Sequence, residues 1–395
     1  MAKVLTYSTL LLAGLVGAQL LALFAPGVHG SFSEPVKLLT MACLSFIMVH
    51  VGYEFDIDKS ALRTYGWDYA VAATAAAFPW IFAAAYFVFA LLPAESWSSW
   101  PAWKEALLIG RFASPTSAGV LFAMLAAAGL AGTWVFRKAR ILAIFDDIDT
   151  ILFMVPLKMM MVGVRWQLGV LVFAMAGLLW AGWRYLHAWR LPLTWPWVMA
   201  YAAGITAVCE MIFLGSKLID DVVPIHLEVL LPSFILGCVI ARVSGQDPHG
   251  HDTVEGHEIG LESPQEQQVA TLVSGTFMVL VGLSMPPIAT LMASTPGGAM
   301  WPGWGMLAIH VVLMTILTNL GKMYPALCYR GEATPRERLA LAVAMFPRGE
   351  VGAGVLVVSL SYGVGGVALM VGTLSLALNL LFTGVIVAVV KRLAH

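Results

Sequence analysis

Apolar residues along this chain come in unbroken runs of about twenty, separated by short clusters of proline, glycine and charge. A helical run of that length crosses the roughly 30 Å of a bilayer's hydrocarbon core. Hydropathy, punctuated by those clusters, predicts twelve spans. The first six are 4–25, 36–54, 68–92, 104–130, 139–163 and 167–188. The second six are 196–216, 224–242, 268–291, 304–328, 338–361 and 365–390. The expected fold is therefore an all-α polytopic membrane protein of about twelve transmembrane helices. Residues 4–24 are too long a run for the apolar core of a signal peptide, and no small-x-small cleavage site is apparent, so they read as the first span.

Composition agrees with this pattern. The 395 residues are 60% hydrophobic and 11% charged, with a mean hydropathy of +0.85. A soluble domain is nearer 45–50% apolar and about 25% charged. A formal net charge of −1 supplies no basic surface for nucleic acid. Cys43, Cys209, Cys238 and Cys328 stand singly in apolar spans, without metal or redox spacing. No cofactor is expected.

Twelve spans divide the loops between two sides. The side holding both termini collects Lys3, Lys59, Arg63, Arg137, Lys138, Arg140, Arg184, Arg190, Arg242, Arg330, Arg336, Arg338, Lys391 and Arg392. The other has Lys37, Lys104, Arg165 and Lys217, so the count is fourteen against four. Cytoplasmic loops carry the excess of Lys and Arg, which puts both termini in the cytoplasm. One cytoplasmic loop, 244–268, is polar and acidic and holds His249, His251 and His257. It reads as a solvated linker between two halves; a pH- or metal-sensing tract is the sharper alternative.

Three acids interrupt the fifth apolar run: Asp146, Asp147 and Asp149. A charge at the bilayer centre costs roughly 2.5–3.5 kcal/mol on insertion scales and marks a functional site by default. Spans 4 and 11 each contain a break. In 114–117 (SPTS), Pro115 removes a backbone donor and clashes with the preceding turn, while Ser114, Thr116 and Ser117 can satisfy the freed groups. In 345–354 (MFPRGEVGAG), Pro347 and Gly349 do the same beside Arg348 and Glu350. A proline alone reads as a packing kink. Two interrupted spans in corresponding halves point to a transporter's binding site.

Lys322 lies just inside the cytoplasmic end of span 10, at a depth comparable to the acids. Adjacent helix positions differ by about 100°, so one of Asp146 and Asp147 can meet Lys322 while the other faces water. Snorkelling of Lys322 to the interface is the plainer alternative. Arg111, one turn before the first break, is a candidate to neutralise Glu350 or an Asp, and Arg348 and Glu350 to offset half-helix dipoles. His50 and His310 are isolated on apolar helices and read as structural.

Five segments together resemble the cation:proton antiporter superfamily, the bacterial sodium/proton antiporters in particular. They are 51–56 (VGYEFD), 114–117, the pair Asp146 and Asp147, the pair Gly321 and Lys322, and 347–351 (PRGEV). The resemblance covers nearly the whole chain. It implies inverted repeats with two broken, crossing helices. It also implies a mobile core from about 68–163 and 304–390, with the remaining spans as a scaffold that forms a homodimer. Asp147 is then similar to the family's shared ion- and proton-binding carboxylate and Asp146 to the acid paired with the lysine. Asp149 occupies a position usually apolar in the family, where it adds a candidate ligand. The chain ends shortly after its last span, so no nucleotide-binding regulatory domain is expected.

The expected function follows: a secondary active antiporter of the bacterial inner membrane, exchanging Na+ or Li+ for H+ by alternating access in the service of pH homeostasis. It would not be an enzyme, and its only ligands would be the transported ions and lipid. Asp146, Asp147, Asp149, Ser114 and Thr116 are the candidate ion- and proton-binding residues, with Asp147 and Asp146 holding the metal cation; Lys322, Arg111, Arg348 and Glu350 are the charge-compensating ones. K+/H+ exchange on the same fold is the alternative. From a different class, an intramembrane aspartyl protease also needs two membrane-embedded acids, but sets them on two helices rather than side by side.

Overall fold

A computed structural model of the chain describes residues 2–24, 26–55, 62–220, 224, 225, 227–241, 264–288 and 303–394, with the backbone alone at 26–31, 62, 151, 350 and 361. The histidine-bearing part of the 244–268 loop lies outside the described residues, as do Asp56 and the Glu350 side chain. Among the described residues the regular structure comprises fourteen α-helices and three 3-10 turns, with no strand.

The helices are α1 (Ala2–Phe24), α2 (Pro26–Glu54), α3 (Leu62–Leu91), α4 (Trp100–Gly110), α5 (Ala118–Ala127), α6 (Trp134–Val162) and α7 (Trp166–Arg184). They continue as α8 (Trp195–Ile219), α9 (Leu230–Val239), α10 (Pro264–Leu283), α11 (Gly303–Gly321), α12 (Pro335–Ala344), α13 (Glu350–Ser361) and α14 (Gly366–Ala394). Each of the twelve expected ranges contains a helix, and 104–130 and 338–361 each contain two. Among the described residues, eight helices or helix pairs are long and apolar enough to cross a membrane, among them α4 and α5 taken together. The other four ranges fall short for visible reasons. α6 carries seven charges, α9 has only ten residues, α10 opens on the polar run PQEQQ, and α12 and α13 are divided.

One boundary moves with consequence. α6 starts at Trp134, where the Thr133 hydroxyl accepts from the Phe136 amide as an N-cap does. Arg137 and Lys138, expected in a loop, therefore lie on the helix with Arg140, and Lys138 and Arg140 are buried.

The chain divides into two compact units. One comprises residues 1–36, 61–161 and 278–395; the other comprises 37–60 and 162–277. Within the first unit, α3 packs on α4 and α11, and α14 on α1, α11, α12 and α13. Two glycines permit the α3 contacts. A Cβ on Gly321 would stand 2.6 Å from Pro79 N, and one on Gly110 2.9 Å from Ala84 N, closer than real Cβ atoms come to backbone. Bare glycine lets α11 and α4 settle against α3, which fixes the residues that follow each of them, Lys322 and Arg111.

Within the second unit, α9 packs on α7 and α8, over a core that includes Phe46, Val49, Val198, Ala202 and Val273. The His50 Nδ1 bonds to the Phe46 carbonyl, and Lys37 pairs with Glu210 at 3.0 Å. Large apolar side chains remain exposed along the long helices, with Phe173 at 80% and Leu218 at 90%. That is a surface suited to hydrocarbon rather than water. All four cysteines are free thiols.

Candidate functional site

The site is built within the first unit, where the two helix breaks meet. α4 ends at Gly110, a 3-10 turn runs Arg111–Ala113, and α5 begins at Ala118 behind Ser117, whose side chain accepts from Val120 N. α12 is started by a capping box between Thr334 and Glu337 and ends at Ala344, and α13 begins at Glu350. The intervening residues have amides and carbonyls that no helix satisfies, and buried backbone groups must find partners. They find each other. Ser117 N donates to the Pro347 carbonyl at 2.9 Å, and Thr116 Oγ1 to the Met345 carbonyl at 3.0 Å.

Arg348 closes the junction from the other side. Its Nε donates to the Ala113 carbonyl at 2.8 Å, Nη2 to the Thr318 carbonyl at 3.0 Å and Nη1 to Asn319 Oδ1 at 2.7 Å. Ala113 and Thr318 lie at or near the carboxyl ends of helical segments, where orphan carbonyls carry partial negative charge. A buried guanidinium answers both.

α6 brings the acids to this junction. Asp146 Oδ2 accepts from Lys322 Nζ at 2.7 Å and from the Thr116 amide at 2.8 Å. Lys322 Nζ also donates to Thr116 Oγ1 at 3.1 Å. Neither side chain of the Asp146–Lys322 pair is exposed. The carboxylate thus sits at the amino end of α5, where the helix dipole favours an anion, and against an ammonium. Its second oxygen, Oδ1, is buried without a hydrogen-bond partner among the described residues, so its lone pairs remain for another positive centre. Asp147 follows on the same helix and is 3% exposed.

Asp149 is turned elsewhere: its Oδ1 accepts from the Tyr69 hydroxyl at 2.7 Å, on α3. Its backbone carbonyl accepts from Arg111 Nη2 at 2.8 Å, and Arg111 Nη1 donates to Ser114 Oγ at 2.8 Å. The Arg111 guanidinium lies 4.8 Å from the Trp80 ring centroid and 5.4 Å from that of Phe153, within cation–π range. Among the described residues Arg111 makes no ion pair. Ser114 also donates to the Ala76 carbonyl at 2.9 Å. A hydroxyl has one proton and two lone pairs, so Ser114 and Thr116 each retain one lone pair after these bonds.

No group of three or more His, Cys, Asp and Glu side chains converges among the described residues. A hard cation held here would draw on oxygens of mixed origin: one or two carboxylates, a hydroxyl, freed carbonyls and water.

Asn319 and Asn379 carry no motif and were not expected at the site. Asn319 Oδ1 accepts from both Arg348 and Asn379 Nδ2, and Asn379 Oδ1 accepts from the Arg348 amide at 3.1 Å. The signal available was an amide side chain inside an apolar span, which in lipid needs a partner. Tyr69, which holds Asp149, offered no such signal, because tyrosine is common near span ends.

A comparison with curated protein sequences found no match. Residues 3–390 match the family model described as "Sodium/hydrogen exchanger, transmembrane". With nearly its whole length matched, the chain belongs to the sodium/hydrogen exchanger family, a family of multi-pass cation:proton antiporters.

Proposed function

We propose that the chain exchanges Na+ or Li+ for H+ by alternating access, with Asp147 as the carboxylate that takes either the proton or the cation. The observation that carries this reading is the buried contact of Lys322 with Asp146 and Thr116, where two interrupted helices meet and one residue from Asp147. Asp146 keeps its lysine as counter-charge. Asp147, about 100° further round α6, changes its occupant. Ser114, Thr116 and freed carbonyls complete the cation's shell, while Arg111, Arg348 and Glu350 balance the helix ends.

Coupling follows from the cost of charge in a bilayer. An empty carboxylate resists passage through hydrocarbon by roughly 2.5–3.5 kcal/mol. One proton or one monovalent cation removes that charge, so the occupied site moves more readily than the empty one. Ligands that stabilise the movable states differentially drive the conformational exchange. If Lys322 releases its proton when the cation draws Asp146 away, transport carries net charge.

In this reading α3–α6 and α11–α14 are inverted repeats forming the mobile core, among twelve spans. The other helices form a scaffold that dimerises. Fourteen cations on one side against four on the other support both termini in the cytoplasm, and the location in this reading is a bacterial inner membrane.

Flux in proteoliposomes tests the proposal. With a pH gradient imposed, wild-type protein is expected to collapse it on addition of Na+ or Li+, and Asp147→Asn to leave it intact while remaining folded. Full cation-dependent proton movement in Asp147→Asn would overturn the assignment of that residue. Collapse by K+ alone would move the reading to K+/H+ exchange.

A further inference from the structure

A second buried ionic cluster stands apart from the exchange site, in the same unit. Lys138 Nζ lies 3.0 Å and 3.2 Å from the two Asp68 oxygens and 3.0 Å from Glu332 Oε2. The Tyr329 hydroxyl donates to Asp68 Oδ1 at 2.8 Å, and Lys138 Nζ lies 4.6 Å from the centroid of the Tyr329 ring. The Asp68 and Lys138 side chains are 1% and 8% exposed, whereas Glu332 is 41% exposed. Three elements are joined: the start of α3, the start of α6 and the link between α11 and α12.

Tyr329 shows that this junction is held against resistance. Its φ is +55, a left-handed conformation that a bulky residue adopts only under strain. Its carbonyl accepts from the amides of Glu332 and Ala333, and Arg338 donates to the Ala326 and Cys328 carbonyls on the preceding turn. The link is over-determined so that one hydroxyl reaches Asp68.

The elements joined here also carry the exchange site. Asp68 precedes Tyr69, which holds Asp149. Lys138 is eight residues before Asp146 on one continuous helix, about 12 Å along its axis. Tyr329 is seven residues beyond Lys322. We infer that Asp68, Lys138 and Tyr329 are positioning residues for cation exchange, setting the register of α6 against α3 and α11 so that Asp146 meets Lys322.

Stability alone does not account for such a cluster. Well-packed apolar side chains of similar volume commonly hold helices together as well as a buried ion pair does, or better. Charges with fixed geometry add register, because a one-residue slide of α6, about 1.5 Å, breaks every contact at once. The same slide would separate Asp146 from Lys322.

The inference rests on the exchange proposed above, and the test separates the two. Proteoliposome flux is measured for wild type, Tyr329→Phe, Asp68→Asn, Lys138→Arg and the exchange double variant Asp68→Lys with Lys138→Asp, each with a thermal unfolding curve. Tyr329→Phe and Asp68→Asn are expected to raise the apparent KM for the transported cation by about three- to a hundredfold, the upper figure being what a 1 Å misplacement costs an oriented site. Lys138→Arg, which keeps the charge opposite Asp68, is expected to stay near the wild-type KM, and the exchange variant to lie closer to wild type than Asp68→Asn does. Unchanged KM in folded Tyr329→Phe and Asp68→Asn, whether or not their unfolding temperature drops, would overturn the positioning role. Should Asp68→Asn fail to fold, Tyr329→Phe decides the matter by removing one hydroxyl. Wild-type protein that moves no cation would sink the exchange reading itself, and this one with it.

Discussion

Lys322 and Asp146 face each other at 2.7 Å with both side chains wholly withdrawn from solvent. Removing one partner of such a pair strands a charge and costs about 3–5 kcal/mol. Lys322→Gln is therefore expected to unfold at markedly lower temperature in detergent than wild type. Replacing both, as Asp146→Asn with Lys322→Met, is expected to restore much of that stability while leaving exchange absent. A single variant as stable as wild type would count against a charged pair.

Arg348 is expected to tolerate no substitute. Its fork reaches three acceptors at once, the carbonyls of Ala113 and Thr318 and the side chain of Asn319. Lysine presents one point of charge and no fork, so Arg348→Lys leaves at least one buried acceptor unmet, at about 1–3 kcal/mol each. Flux and unfolding measured together should both fall. Asn319→Ala, which strands donors on Arg348 and Asn379, should follow in the same direction.

Gly321→Ala tests the close approach of α11 to α3. The added methyl would meet Pro79 N at 2.6 Å and Pro79 Cα at 2.9 Å, an overpacking that typically costs about 1–3 kcal/mol. Because Lys322 is the next residue, exchange should weaken along with stability. Gly305→Ala on the same helix meets nothing within 4 Å and is the control, neutral or slightly stabilising. Equal behaviour of the two variants would contradict the packing described.

Alkaline pH offers a check on Tyr329, which lies on the link outside the spans. Burial, and next the Asp68 carboxylate, hold its phenol above the ordinary tyrosine range. The folded state therefore keeps the proton that an unfolded tyrosine loses near about pH 10. The stabilisation is complete below that pH and declines as pH rises beyond it. Comparison of wild type with Tyr329→Phe at pH 8 and pH 11 should show the wild type's advantage shrinking at the higher value.

What was legible in the sequence follows from what is local. Apolar runs of span length betray helices, because period and length are written in consecutive residues. Pro115 and Pro347 betray the breaks, because a missing donor acts on its own turn. Lys138 was misread as a loop cation because a charged run looks solvated. Its partners Asp68 and Glu332 lie 70 residues before it and 194 after it, where no local pattern points. The same holds for Asn319 and Asn379, whose amides meet Arg348 across 29 and 31 positions, and for Tyr69 and Asp149, 80 positions apart. The meeting of an acid with Lys322 was legible at long range, from matching depth on two helices and from the resemblance of motifs in order.

The bonds between the two breaks bear on how the protein is made. Thr116 and Met345 are 229 positions apart, and Ala113 and Arg348 are 235 apart. A growing chain exposes the SPTS segment long before the ribosome reaches its partners. Until then the amide of Ser117 and the carbonyl of Ala113 sit at membrane depth without the groups that later satisfy them, a state hydrocarbon penalises. Assembly of the acid-bearing centre is thus a late event in biogenesis, completed only when the final third of the polypeptide has entered the bilayer.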